Sequence, residues 1–185
     1  MSSRILLAAA LLAALPAVAA PPAAKAPPAA KAPPKEPPQQ LPLTARWCLP
    51  ASGASGAPRC ILLEQALTPR EQTLGLQLRP PLPPLRGMWF PFRQPQHAFF
   101  WMHRTPAALD MLFVRDGRVQ HIVPRAQPCP RLPCPAFGPS DELPVEGVLE
   151  LAAGQAEALG IRAGQPVRIE LLPTPQAAPL TPAGR

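Results

Sequence analysis

The chain has 185 residues, 32 of them proline, and a formal net charge of +7 from 18 basic and 11 acidic side chains. Arg4, Lys25, Lys31, Lys35 and Glu36 account for three of those seven charges, and the rest is arginine scattered without a basic stripe. That distribution excludes the electrostatic footprint of a nucleic-acid binder.

Residues 1–19 read as a signal peptide. Arg4 supplies the charged start, residues 5–15 the apolar middle, and Ala17-Val18-Ala19 a small-residue cleavage site. The apolar run is shorter than the ~20 residues that a membrane-spanning helix needs. A retained N-terminal anchor is the alternative. Residues 20–43 are almost entirely Pro, Ala, Lys and Gln. Such a segment buries too little apolar surface to offset its ordering entropy, so it is expected to be a disordered tether with polyproline II bias. Residues 44–172 are expected to close one core of ordinary size, and residues 173–185 to form a second disordered tail. The implied location is exported, either periplasmic or secreted, with no membrane span once the signal is removed.

The first strand expected in the main sheet is 60–65. Thr68, Pro69 and Glu71 spell a capping box with proline at the first helical position, predicting a short helix over 69–78 with Leu74 and Leu78 toward the core. The proline run at 80–84 ends it. Aromatic-rich strands follow at 87–92 and 97–102. Residues 109–114 are continuously apolar apart from Asp110, as expected of a strand buried on both faces. Asp116-Gly117 is a hairpin signal that leads into a strand at 118–123. A strand at 145–151, a short helix at 153–159 with Gly160 at its end, a turn at 162–165 and an alternating strand at 167–172 complete the set. Six or seven short strands with two short helices predict a mainly β (α+β) domain, a small closed or half-closed β-barrel.

Four cysteines in an exported chain point to disulfides, and three connectivities are possible. Cys48–Cys60 would close a Gly/Ser/Ala/Pro-rich excursion between two strand edges. Cys129–Cys134 would close a proline-bent turn. The alternatives for Cys129 and Cys134 are a metal or redox pair, or free thiols. Their C-x4-C spacing is not that of a thioredoxin-type motif, and no second cysteine or histidine pair completes a zinc tetrahedron.

The order and spacing of several motifs resemble the bacterial and archaeal domain of unknown function family 192 over residues 60–172. These are the run REQTLGL at 70–76, Gly87-Met88, Phe100-Trp101-Met102 followed by Thr105, and Leu109-Asp110. Asp116-Gly117-Arg118-Val119, the Pro-Cys brackets at 128–135, Val148-Leu149-Glu150-Leu151 and Gly160-Ile161 with Gly164 follow in turn. The resemblance implies a compact, mainly β, barrel-like domain, often exported or tethered, and it implies no reaction. Members of that family usually carry a Lys-Asn pair where this chain has His103 and Arg104.

A carboxylate inside an apolar run must be paired, hydrogen-bonded or exposed, which singles out Asp110. It is expected either to accept backbone N–H groups in a tight turn or to line a ligand pocket with Trp101, His103, Thr105 and Arg125. His103 is the candidate base, although no nucleophile-elbow motif accompanies it. Met88, Met102 and Met111 with His97, His103 and His121 would suit a soft metal such as copper, against the commoner fate of core filling. The leading expectation is a non-catalytic binding or interaction module of the envelope, monomeric, without a cofactor or resident metal. Its partner would be a small ligand or an envelope protein. The alternatives are an envelope hydrolase using Asp110 and His103, and a copper- or other metal-handling protein.

Overall fold

The computed structural model describes residues 37–50, 57–139 and 143–173. The expected signal peptide, most of the tether, the middle of the 48–60 excursion and nearly all of the tail lie outside the described residues. Nine strands and two helices follow in the order β1 (Leu43–Leu49), β2 (Arg59–Gln65), α1 (Pro69–Leu74), β3 (Arg86–Gln96), β4 (Phe100–Trp101), β5 (Leu109–Arg115), β6 (Arg118–Ala126), β7 (Ala136–Phe137), β8 (Val145–Ala152), α2 (Gln155–Ala158) and β9 (Ile169–Leu171).

Seven strands form one sheet in the order β6-β5-β8-β3-β2-β1-β9, and β4 pairs with β7 as a separate ribbon. Every neighbouring pair is antiparallel except β2 with β3. Parallel neighbours need a crossover, and α1 with the proline-rich stretch after it provides one. The sheet is not closed, but its two ends are drawn together. The segment before β9 bonds to the start of β6, with Val119 N–H donating to Gln165 O (2.9 Å) and Gly164 N–H to Val119 O (2.7 Å). The expectation of a half-closed barrel with two short helices holds.

Strand periodicity of two sends alternate side chains to opposite faces, and here both faces are covered. Trp47, Ile61, Leu63, Trp89, Leu112 and Leu149 fill the inner core, which α2 closes at one end through Ala156. Met88, Phe90, Met111, Phe113 and Val148 lie on the outer face, under Leu76 and the segment around Ala98 and Met102. Double coverage explains why the first six residues of β5 are all buried. Gly147, on the inner face, leaves the space that the Trp89 ring occupies; a Cβ there would collide with the indole. Gly147→Ala is therefore expected to cost about 1–3 kcal/mol by overpacking, readable as a lower midpoint in urea denaturation; an unchanged midpoint would contradict this packing.

The hairpin between β5 and β6 turns on Asp116 and Gly117, whose φ values of 51° and 63° are those of a type I′ turn. Both cysteine pairs are bonded, Cys48–Cys60 and Cys129–Cys134. The first joins residues that face each other across β1 and β2. Disulfides are characteristic of oxidising compartments. Among the described residues no helix is long and apolar enough to cross a membrane.

Several expectations need correction. A strand, β1, precedes the one expected first. The capping box at Thr68 and Glu71 is present, and the main-chain N–H of Thr68 holds the Glu71 carboxylate below its ordinary range. The helix nevertheless stops at Leu74, because Gly75 takes a φ of +46°. Leu76, not Leu78, is the residue buried beyond it. The strand expected at 97–102 shrinks to β4, because β3 runs on to Gln96. At the edge strand β9, Leu171 is 75% exposed, since no further strand or helix among the described residues covers it.

Candidate functional site

Asp110, on β5, interleaves with Leu109 and Met111 and so points to the inner face at the end closed by α2. Its carboxylate accepts three main-chain N–H groups. Oδ1 takes those of Arg125 (2.8 Å) and Gly154 (3.0 Å), and Oδ2 takes that of Ala156 (2.8 Å). Gly154, the N-cap of α2, has no side chain to do this, and Asp110 supplies the missing acceptor from across the fold. Arg125 contributes its main chain here, while its guanidinium reaches Glu157 (2.9 Å) in an exposed pair.

Trp101, His103 and Thr105 lie elsewhere, around β4 on the outer face. The Trp101 and His103 rings are 6.0 Å apart, and His103 Nδ1 is 3.9 Å from Cys134 Sγ. The five residues expected in one pocket therefore fall into two places. The pairing of Asp110 with His103 for hydrolysis is not formed: Asp110 is 1% exposed, with both oxygens committed to backbone. The thioethers of Met88, Met102 and Met111 are packed in the outer core. His121 lies against Phe113, and His97 is exposed. Among the described residues no group of three His, Cys, Asp or Glu side chains is placed to hold a metal.

The chemistry collects instead in a cavity of about 450 Å³ between α1 and the stretch from Gln96 to Thr105. That size suits a small-molecule site, for which about 300–1,000 Å³ is typical. α1 and the turn after it form one wall, with Gly75 approaching the Phe90 ring. Phe92, Phe99, Phe100 and Trp101 form the opposite side, and Phe99 and Trp101 are each 52% exposed at the rim. Edge-to-face contacts of Phe100 with Phe90 (5.1 Å) and Phe113 (6.2 Å) anchor that wall to the sheet. The Gln72 amide braces the wall from α1, donating to Ala66 O (3.2 Å) and Pro91 O (2.9 Å).

Glu150 of β8 also lines this cavity, and sequence reasoning passed it over. It sits on the outer face in register with Met88 on one side and Met111 on the other. It is 5% exposed, and no hydrogen bond or ion pair joins its carboxyl to any described residue. Burial pushes that carboxyl up to about 8, so at neutral pH it is mainly the protonated acid, able to donate as well as accept. The other buried glutamate, Glu64, is by contrast fully engaged: Arg79 grips it with two hydrogen bonds (2.6 and 2.7 Å), and the Leu41 N–H adds a third.

The model of the DUF192 family, described as "Uncharacterized ACR", matches residues 52–169. The chain belongs to DUF192. A solved structure similar to this DUF192 chain is that of a candidate transcription regulator from Sinorhizobium meliloti 1021. It is 31% identical with a TM-score of 0.58, covering 72% of this chain and 97% of that one. Another is a protein of unknown function from Novosphingobium aromaticivorans DSM 12444, 32% identical with a TM-score of 0.58, covering 73% of this chain and 89% of that one. No curated protein matches the chain. The seven-stranded DUF192 sheet, with α1 and β4 laid over its outer face, is thus the frame that holds the cavity.

Proposed function

We propose that this protein is an exported, non-catalytic binding module of the cell envelope, and that the cavity between α1 and β4 is its ligand site. The observation that carries the proposal is the carboxyl of a buried residue that opens onto a cavity of ligand size among aromatic rings, with no hydrogen bond or ion pair to a described residue. A carboxyl held on a buried residue and facing a cavity is a group for a ligand to satisfy. Support for export comes from the tripartite pattern of residues 1–19 and the two disulfides. The lining contains no serine or cysteine to act as a nucleophile, which favours binding over acyl transfer. The half-exposed Phe99 and Trp101 would grip the ligand at the entrance.

The test is a screen of small aromatic and aliphatic compounds of all three charge classes against the oxidised protein. A ligand at a hundredfold excess over its dissociation constant is expected to add ~2.7 kcal/mol to stability and so raise the melting temperature. Trp47 and Trp89 are buried and Trp101 is not, so a change in tryptophan fluorescence localises binding to the rim. The double variant Phe99→Ala/Trp101→Ala should keep its fold and lose the ligand-induced rise in melting temperature. Binding that the double variant leaves intact would place the site elsewhere.

A further inference from the structure

The lining of the cavity has a definite electrostatic character. Glu150 is its one carboxyl, and no lysine or arginine lines it. The remaining polar groups are the amides of Gln72, Gln77 and Gln96, the hydroxyls of Thr73 and Thr105, and the rim imidazole of His97. Charged groups on the neighbouring elements do not neutralise Glu150. On β3, Arg86 lies on the same side as Met88, but it forms no ion pair with Glu150, and its Nη1 is buried without a hydrogen-bond partner. On α1, Glu71 is spent on its own helix start and Arg70 is not among the lining residues. β5 presents Met111, and Glu146 of β8 accepts from Gly117. His103 faces Cys134.

A buried acidic group and the faces of aromatic rings favour the same kind of guest. The π face carries the negative end of the ring quadrupole, and it attracts ammonium groups most strongly where water is excluded. An anionic guest would meet both features unfavourably. We propose that the cavity takes an organic cation, an alkyl- or arylammonium group whose charge meets the Glu150 carboxylate while its apolar part lies against Phe100 and Trp101. The proposal rests on the cavity being the ligand site and names the class of ligand that fills it.

Proton linkage separates this from the other guests. A cation binds the ionised carboxylate and so competes with the proton; a neutral acceptor binds the protonated acid and is lost as the proton leaves. The probe is benzyltrimethylammonium, whose charge does not change with pH, followed by tryptophan fluorescence and calorimetry on the oxidised full chain. With the carboxyl at about 8, affinity should rise about 100-fold from pH 6 to pH 9 and then level off. Glu150→Gln, close in shape and checked for folding by circular dichroism, should abolish the rise, whereas His121→Gln, at a residue outside the lining, should retain it. Benzyl alcohol and phenylacetate should bind at least tenfold more weakly at pH 9. Affinity that is flat or falls with pH, or a cation bound equally well by Glu150→Gln, would overturn the cation class and leave the cavity standing as a ligand site. Tighter binding of the alcohol or of phenylacetate would do the same. No response to any of the three probes at any pH would overturn both.

Discussion

Replacing Asp110 by alanine is expected to remove about 3–5 kcal/mol of stability, a large share of what a domain of this size possesses. The carboxylate accepts the N–H groups of Arg125, Gly154 and Ala156 in a site that water does not reach. Truncation leaves three main-chain donors without an acceptor, that of Ala156 buried and those of Arg125 and Gly154 partly so, at a cost of ~1–3 kcal/mol for a buried donor. It also frees the start of α2, whose Ala156 closes the inner core. Asp110→Asn should lose less: Oδ1 can keep Arg125 and Gly154, but an amide NH2 then faces the Ala156 N–H. Glu157→Ala, which breaks only the exposed pair with Arg125, should change stability by less than ~1 kcal/mol. Urea unfolding of the three variants reads the series. Equal stability of wild type and Asp110→Ala would refute the capping role. The folded Asp110→Asn protein should bind benzyltrimethylammonium like wild type, because the carboxylate serves the frame and not the cavity.

The parts of this fold legible in the sequence are those decided locally. Asp116-Gly117 has one comfortable conformation between two apolar runs, and the hairpin follows. Thr68, Pro69 and Glu71 start a helix by hydrogen bonds within four residues. The pairing of Cys48 with Cys60 needs only two strand edges and a short excursion between them. Errors arose where the outcome depends on neighbours far along the chain. β1 becomes a strand because β2 and β9 flank it, and little in its own residues announces that. Residues 97–102 look as much like a strand as 87–92, yet only β3 has β8 beside it, so the second run becomes a strip of two residues over the outer core. Leu171 alternates correctly but lies on an edge strand that no other described residue covers.

The site shows the same division. A carboxylate in an apolar strand needs partners, which singles out Asp110, and those partners are main-chain N–H groups: that of Arg125 on β6 and those of Gly154 and Ala156 at the start of α2, more than forty residues away. The rule applies word for word to Glu150 within Val148-Leu149-Glu150-Leu151, and there no described residue supplies a hydrogen bond or an ion pair. Nothing in the spacing distinguishes the two carboxylates. The difference lies in which face of the sheet each points to, and in what covers that face: the start of α2 over Asp110, a cavity beside Glu150. Trp101 and Thr105 line the cavity, and nothing in the sequence of α1 marks it as the opposite wall.

Glu150 should make the protein lose stability as pH rises through neutrality, and Glu150→Gln should remove that loss. In the unfolded chain the carboxyl ionises near its ordinary 4.5; in the folded protein burial raises it to about 8. Below pH 4.5 both states hold the proton and the group costs nothing. Between 4.5 and 8 the folded state holds more protons than the unfolded one, so unfolding free energy falls with pH, and above 8 the full penalty is present. The gap corresponds to several kcal/mol, on the order of 5. Wild type and Glu150→Gln should therefore be similarly stable near pH 5, and the variant more stable by roughly that amount at pH 9, in urea unfolding at fixed ionic strength. Every other ionisable group is common to the two proteins, so the difference between the curves isolates Glu150. Parallel curves would show that the carboxyl already has a partner in solution, and both the site and its ligand class would then need another basis. A saturating cation should reduce the wild-type loss at pH 9 and do nothing for the variant, because it satisfies the very charge that burial penalises.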